Sequence, residues 1–130
     1  MATYLLDTDI IIDALRGRSG RAELLMHLVG EGNALACCAV NVTEVYAGMR
    51  PEEEARTRAF LEGLIWRPVT REVAARAGLL KRDWAKRGVT LAVTDVTVAA
   101  IAIAHGLVLV TGNRRHYPMP ELRIFPLPEE

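Results

Sequence analysis

Short, unbroken apolar runs separated by stretches of helical period leave this chain few architectures. Tyr4-Leu5-Leu6, Ala34-Leu35-Ala36-Cys37-Cys38 and Leu107-Val108-Leu109-Val110 carry no charged residue. Runs of that length match buried strands, and strands buried on both faces belong to parallel sheets. Leu64 to Val69, with a proline near its end, and Leu122 to Phe125 read as two further strands. Helical patterns fill the intervals. Ile10 to Leu15 gives a short helix that Asp9 is placed to cap, and Glu23 to Val29 a second, stopped by Gly30 and Gly32. Asn41-Val42-Thr43-Glu44 opens a third, Pro51 a fourth, and Arg71 to Lys86 carries Val73, Ala77, Leu80 and Trp84 on one stripe. Thr94-Asp95 starts a helix that is apolar nearly all round through Ala104, as a buried helix is. The alternation predicts a three-layer α/β/α fold around a parallel sheet of about five strands.

A chain of 130 residues is near the usual size of one domain, so a single domain over 1–130 is expected. Its 51% apolar and 25% charged content is that of a folded protein rather than a disordered tail. Lysine plus arginine equals aspartate plus glutamate at 16 each, so net charge neither argues for nucleic acid nor against it. A site that holds divalent cations attracts phosphate locally whatever the bulk charge. Cys37 and Cys38 are neighbours on a strand and point to opposite faces, which suits buried thiols in a reducing cytosol better than zinc or a disulfide. Met1 leads straight into the first strand without a basic, signal-like segment, and a cytoplasmic location is expected. Thr90 to Val110 is long and apolar, but Asp95 inside it and His105-Gly106 dividing it speak against a membrane span.

Acidic residues fall where such a fold does chemistry. Asp7 ends the first strand, Glu44 lies in the first turn of the helix after the second, Asp95 opens the buried helix, and Asn113 follows the fourth strand. All four map to the carboxyl edge of the sheet, where open α/β folds bind ligands. Carboxylates gathered without a lysine or arginine repel each other unless a cation intervenes, and Mg²⁺ or Mn²⁺ suits oxygen donors. Taken singly, each residue also has a local explanation. Asp7 forms an Asx turn, Glu44 belongs to a capping box with Asn41, Asp95 complements a helix dipole, and Asn113 turns the chain.

Four segments in order change that balance. Leu5-Leu6-Asp7-Thr8-Asp9, Val42-Thr43-Glu44-Val45-Tyr46-Ala47-Gly48, Asp95-Val96-Thr97-Val98-Ala99-Ala100 and Val110-Thr111-Gly112-Asn113-Arg114-Arg115-His116-Tyr117 resemble the signatures of PIN-domain ribonucleases of the VapC toxin type. The resemblance spans almost the whole chain and implies the PIN fold. It implies that Asp7, Glu44 and Asp95 hold the metal, that Asn113 fills a fourth catalytic position, and that Thr8 and Thr111 lie by the substrate. Thr97 replaces a large aliphatic residue of the family, Asn113 brings no charge, and Asp9 stands where Asn is frequent.

What the resemblance implies is Mg²⁺- or Mn²⁺-dependent hydrolysis of RNA phosphodiesters by metal-activated water. It further implies a toxin of a type II toxin–antitoxin system, a cognate VapB-type antitoxin, and a homodimer. Arg114 and Arg115, with Arg16, Arg18 and Arg21, are candidates to hold the RNA backbone. His27 and His105 are expected to be structural or surface residues, and His116 to be at most a substrate contact. Two other readings stay open here. One is an inactive PIN-like module that binds RNA or protein. The other is a phosphatase of the haloacid dehalogenase type, which Asp7-Thr8-Asp9 resembles, with Lys81 and Lys86 the only lysines on hand downstream.

Overall fold

The computed structural model describes residues 1–127; Pro128, expected to follow the last strand, lies outside them. A five-stranded, all-parallel sheet has the order β3-β2-β1-β4-β5. Its strands are β1 (Thr3–Leu6), β2 (Ala34–Cys38), β3 (Ile65–Arg67), β4 (Val108–Val110) and β5 (Arg123–Ile124). Helices α1 (Thr8–Leu15) and α2 (Arg21–Gly30) connect β1 to β2, and α3 (Ala39–Gly48) and α4 (Glu54–Glu62) connect β2 to β3. Helices α5 (Arg71–Lys86) and α6 (Val93–His105) carry the chain across to β4.

Strand periodicity sorts the core into two layers. Leu5, Ala36, Cys38 and Leu109 pack with Val73 and Ala77 of α5 and the buried face of α6. Leu6, Cys37 and Val110 point the other way, onto Ile10, Ile11, Leu25, Leu28, Val45 and Leu61 of α1 to α4. The sheet is therefore covered on both faces, as the uninterrupted apolar strands require. Cys37 and Cys38 are buried free thiols in opposite layers, and burial lifts the Cys37 thiol to about 11. The apolar segment after residue 90 divides as expected. Gly106 takes the left-handed conformation (φ 63°) that ends α6, and β4 follows. Among the described residues no helix is long and apolar enough to cross a membrane.

Three local readings need correction. Asp7 caps α1, accepting from the Thr8 amide, whereas Asp9 lies inside the first turn. Helix α3 begins at Ala39, so Glu44 sits in its second turn and Asn41 is the third helical residue, accepting from the Cys38 amide. Arg16 is engaged within the fold rather than free at the surface: it forms an ion pair with Glu53 at 3.2 Å and donates to the Gly48 carbonyl, tying the end of α1 to the entry of α4. The Arg16 hydrogen bonds hold the Glu53 carboxyl down at about 2. A carboxyl lowered on folding stabilises above its unfolded value near 4.3 and loses that contribution as pH falls through the folded value. Glu53→Gln is accordingly expected to lower Tm at pH 7, with the gap to wild type closing between about pH 4 and pH 2. Thermal denaturation followed by circular dichroism across that range measures it.

Candidate active site

The strand order reverses direction beside β1: from β1 the chain builds outward through β2 to β3, and then crosses to β4 on the other side. Such a switch point leaves a crevice at the carboxyl ends of the two central strands. Asp7 leaves β1 and Thr111 leaves β4 at that crevice, with the Asp7 amide bonded to the Val110 carbonyl at 2.9 Å. Helix α6 runs back against the sheet, so its first turn brings Asp95 to the same edge.

Asp7 is the fixed centre. It is 8% exposed, and its Oδ2 accepts from the Thr111 hydroxyl at 2.8 Å and the Tyr117 hydroxyl at 2.9 Å. Among the described residues its Oδ1 accepts only the Thr8 amide. The Tyr117 hydroxyl also lies 3.4 Å from Asp95 Oδ1, so one phenol sets the spacing of two carboxylates. Burial first, then the charges of Asp7 and Asp95, push the Tyr117 hydroxyl far above its ordinary range, which keeps it a donor. Thr111 donates to Asp7 while accepting from the Asn113 amide at 3.0 Å.

Glu44 approaches from α3. Its Oε1 accepts from the Thr8 hydroxyl at 2.6 Å, and that hydroxyl in turn accepts from the buried Asn41 amide group at 3.3 Å. Thr8 thus links the Asp7 and Glu44 carboxylates through its amide and its hydroxyl. Asp95 Oδ2 lies 3.6 Å from His116 Nδ1. Burial is the main cause that raises the Asp95 carboxyl above its usual range; His116 opposes it, and the charges of Asp7 and Glu44 add to it. Asp9 is raised as well, by burial and by Asp7, against the Gly112 amide that donates to its Oδ2 at 2.8 Å. The approach is close: a Cβ on Gly112 would stand 2.6 Å from that oxygen, so a side chain there requires the Asp9 carboxylate to shift.

The donor set suits a hard divalent cation. Asp7, Glu44 and Asp95 offer carboxylate oxygens alone, no lysine or arginine pairs with any of them among the described residues, and Asp95 is strained by the other two charges. As they stand, no three acidic, histidine or cysteine groups among the described residues enclose an ion. Glu44 is exposed and tied at one oxygen, so its side chain is the adjustable member of the set. Asn113 is exposed at the start of a 3-10 turn, Arg114–His116, and reaches the centre through its amide on Thr111. Arg114 and Arg115 are exposed beside it and line a groove with Asp9 and Asp13. Lys81 donates to the Leu91 carbonyl and Lys86 is exposed on α5, so neither serves as the lysine that a dehalogenase-type phosphatase needs.

Tyr117, Asn41 and the Asp95–His116 pair carry this geometry, and residue pattern alone does not reveal their roles. The available signal was Tyr117 itself: a tyrosine that is buried needs a partner for its hydroxyl.

The PIN domain family model matches residues 4–122. The chain belongs to the PIN-domain family. Among curated relatives, this PIN domain is 36% identical to ribonuclease VapC19 of Mycobacterium tuberculosis over 120 residues, 92% of this chain and 96% of that protein. It is 32% identical to ribonuclease VapC10 of the same organism, over 90% of this chain and 87% of that one. Among solved structures it superposes on VapBC2 from Rickettsia felis, bound to a promoter DNA fragment, with a TM-score of 0.83 at 22% identity, covering 95% of this chain and 97% of that one. That likeness shows the three-layer α/β/α PIN fold around the parallel sheet.

Proposed function

We propose that this chain, as a single PIN domain over residues 1–130, is the VapC-type toxin of a type II toxin–antitoxin system and cuts RNA as a metal-dependent endoribonuclease. The observation that carries the reading is the network in which Thr111, Tyr117 and Thr8 hold Asp7, Asp95 and Glu44 together at the switch point of the sheet. The kinship to the VapC ribonucleases supports it.

Asp7, Glu44 and Asp95 would hold Mg²⁺ or Mn²⁺. When bound, the ion lowers the pKa of water and neutralises charge on the attacked phosphate. The protein's own part is alignment. Tyr117 and Thr111 both bond Oδ2 of Asp7 and leave Oδ1 with one amide partner among the described residues. Thr8 fixes one oxygen of Glu44 and leaves the other without a hydrogen bond among the described residues. Such supporting groups orient ligands and raise their basicity, and their loss ordinarily costs about 10- to 100-fold in affinity or activity. Asn113 sits at the rim as the fourth catalytic position, Thr8 and Thr111 border the substrate, and Arg114 and Arg115 supply positive charge for the phosphate backbone.

For partners, a cognate VapB-type antitoxin and a second copy of the chain fit the surface. An apolar groove of about 800 Å³ runs between α1, α2 and α4, lined among others by Leu15, Leu25, Met26, Val29 and Phe60. Edge strand β3 exposes Ile65 and Trp66. Two buried free thiols suit the cytoplasm.

Metal removal tests the enzymatic reading. Purified protein freed of antitoxin is expected to cut RNA with Mn²⁺ or Mg²⁺, to stop in EDTA, and to resume when Mn²⁺ exceeds the chelator. Cleavage that continues undiminished in EDTA would rule out the metal assignment.

A further inference from the structure

A second concavity adjoins the carboxylates. It measures about 670 Å³ and lies between the α1–α2 loop and the turn after β4, with Asp13 and Ser19 on one side and Arg114 and Arg115 on the other. Thr111 and Asp9 belong to its wall, so it opens directly off the site at Asp7. Its volume is within the range of about 300 to 1,000 Å³ typical of small-ligand sites.

Asp13 is half-buried, yet its carboxylate has no hydrogen bond or ion pair among the described residues, although three arginines, Arg21, Arg114 and Arg115, line the same groove. Arg114 and Arg115 likewise form no ion pair there. Its neighbouring loop is held in an unusual shape: Gly17, Ser19 and Gly20 all have positive φ, and Ser19 does so at 55° without being glycine. Non-glycine residues adopt that region at a cost that surrounding structure must offset, and such strain gathers at binding sites.

We infer that this groove receives the nucleotide next to the scissile phosphate, with Arg114 and Arg115 on its phosphate and Asp13 reading its base, and that the base preferred is guanine. The inference rests on the ribonuclease reading above. A nucleotide has the matching polarity, an anionic phosphate at one end and N–H donors on the base edge at the other. An ionised carboxylate is an acceptor only. Guanine alone presents two parallel donors, N1–H and the N2 amino group, to the two oxygens of a carboxylate. Adenine and cytosine offer one amino donor beside an acceptor, and uracil offers N3–H between two carbonyls. Single-stranded RNA exposes these edges for reading. A paired contact of this kind discriminates by roughly 10- to 100-fold.

The test is cleavage of a random-sequence oligoribonucleotide pool with Mn²⁺, followed by sequencing of the new ends, each enzyme normalised to its own total cleavage. Wild type is expected to show guanine enriched at one position flanking the cut. Asp13→Asn is expected to lose that enrichment by about 10-fold or more, and Asp13→Glu, which restores the carboxylate, to keep most of it. Arg114→Ala with Arg115→Ala is expected to flatten the salt dependence of cleavage while leaving the base preference in place. A wild type that cuts without guanine enrichment, or an Asp13→Asn variant with an unchanged profile, overturns the inference and leaves the ribonuclease reading standing. No cleavage by wild type at all removes both.

Discussion

Asp7→Asn is expected to lower RNA cleavage by about 10³-fold or more, because the charge stabilisation that a metal site supplies amounts to several kcal/mol and each 1.4 kcal/mol is tenfold in rate. The fold is expected to survive. Asparagine caps a helix about as well as aspartate, so the bond from the Thr8 amide persists in the variant. The Thr111 and Tyr117 hydroxyls, which donate to Asp7 Oδ2, can turn to accept from an amide nitrogen instead. Removing one charge also relieves Asp9 and Asp95, which burial first and the charge of Asp7 after it hold above the usual carboxyl range. Single-turnover cleavage and a melting curve on the same preparation measure the two effects. A variant that melts like wild type and cuts at more than a tenth of its rate would show that Asp7 is only a cap.

Leu5→Ala is expected to cost about 2–5 kcal/mol, the range for emptying a leucine-sized space in a closed core. Leu5 is fully buried on β1, the middle strand of the sheet, and packs among Ala36, Leu109 and the buried face of α6. Strands on both sides and helices above leave little room for collapse. Urea unfolding monitored by circular dichroism gives the value, with a Tm drop on the order of 10 °C. Because Asp7 emerges two residues further along β1, the variant also reports how firmly the site is seated. A loss below about 1 kcal/mol would mean that the layer relaxes around the deletion.

The layered fold was legible because its strands are buried on both faces and therefore read as unbroken apolar runs, and α5 was bounded correctly at Arg71 and Lys86 because its stripe of Val73, Ala77, Leu80 and Trp84 keeps the helical period throughout. The start of α3 was not legible. Ala39 and Val40 continue the apolar composition of Cys37-Cys38, so nothing marks the residue where strand becomes helix. Asp7 and Asp9 both suit a cap, and which of them caps depends on whether β1 ends at Leu6, a matter of sheet register. In the site, the acidic positions stood out by residue type and by their place after strands. Tyr117 did not, because its bond to Asp7 spans 110 positions and obeys no period. Arg16 misled for the same reason: its partner Glu53 is 37 residues away.

Glu44 tests the central claim most directly, since its exposed carboxylate belongs to the fold's surface unless it holds a metal. Glu44→Gln keeps the side chain's length and its acceptor for the Thr8 hydroxyl while removing the charge. The decisive measurement is Mn²⁺ binding by titration calorimetry together with RNA cleavage, on wild type and Glu44→Gln of equal Tm. The account requires that the variant bind Mn²⁺ about 10-fold or more weakly and cut RNA correspondingly less. Equal Mn²⁺ affinity and equal cleavage in the two proteins would contradict it.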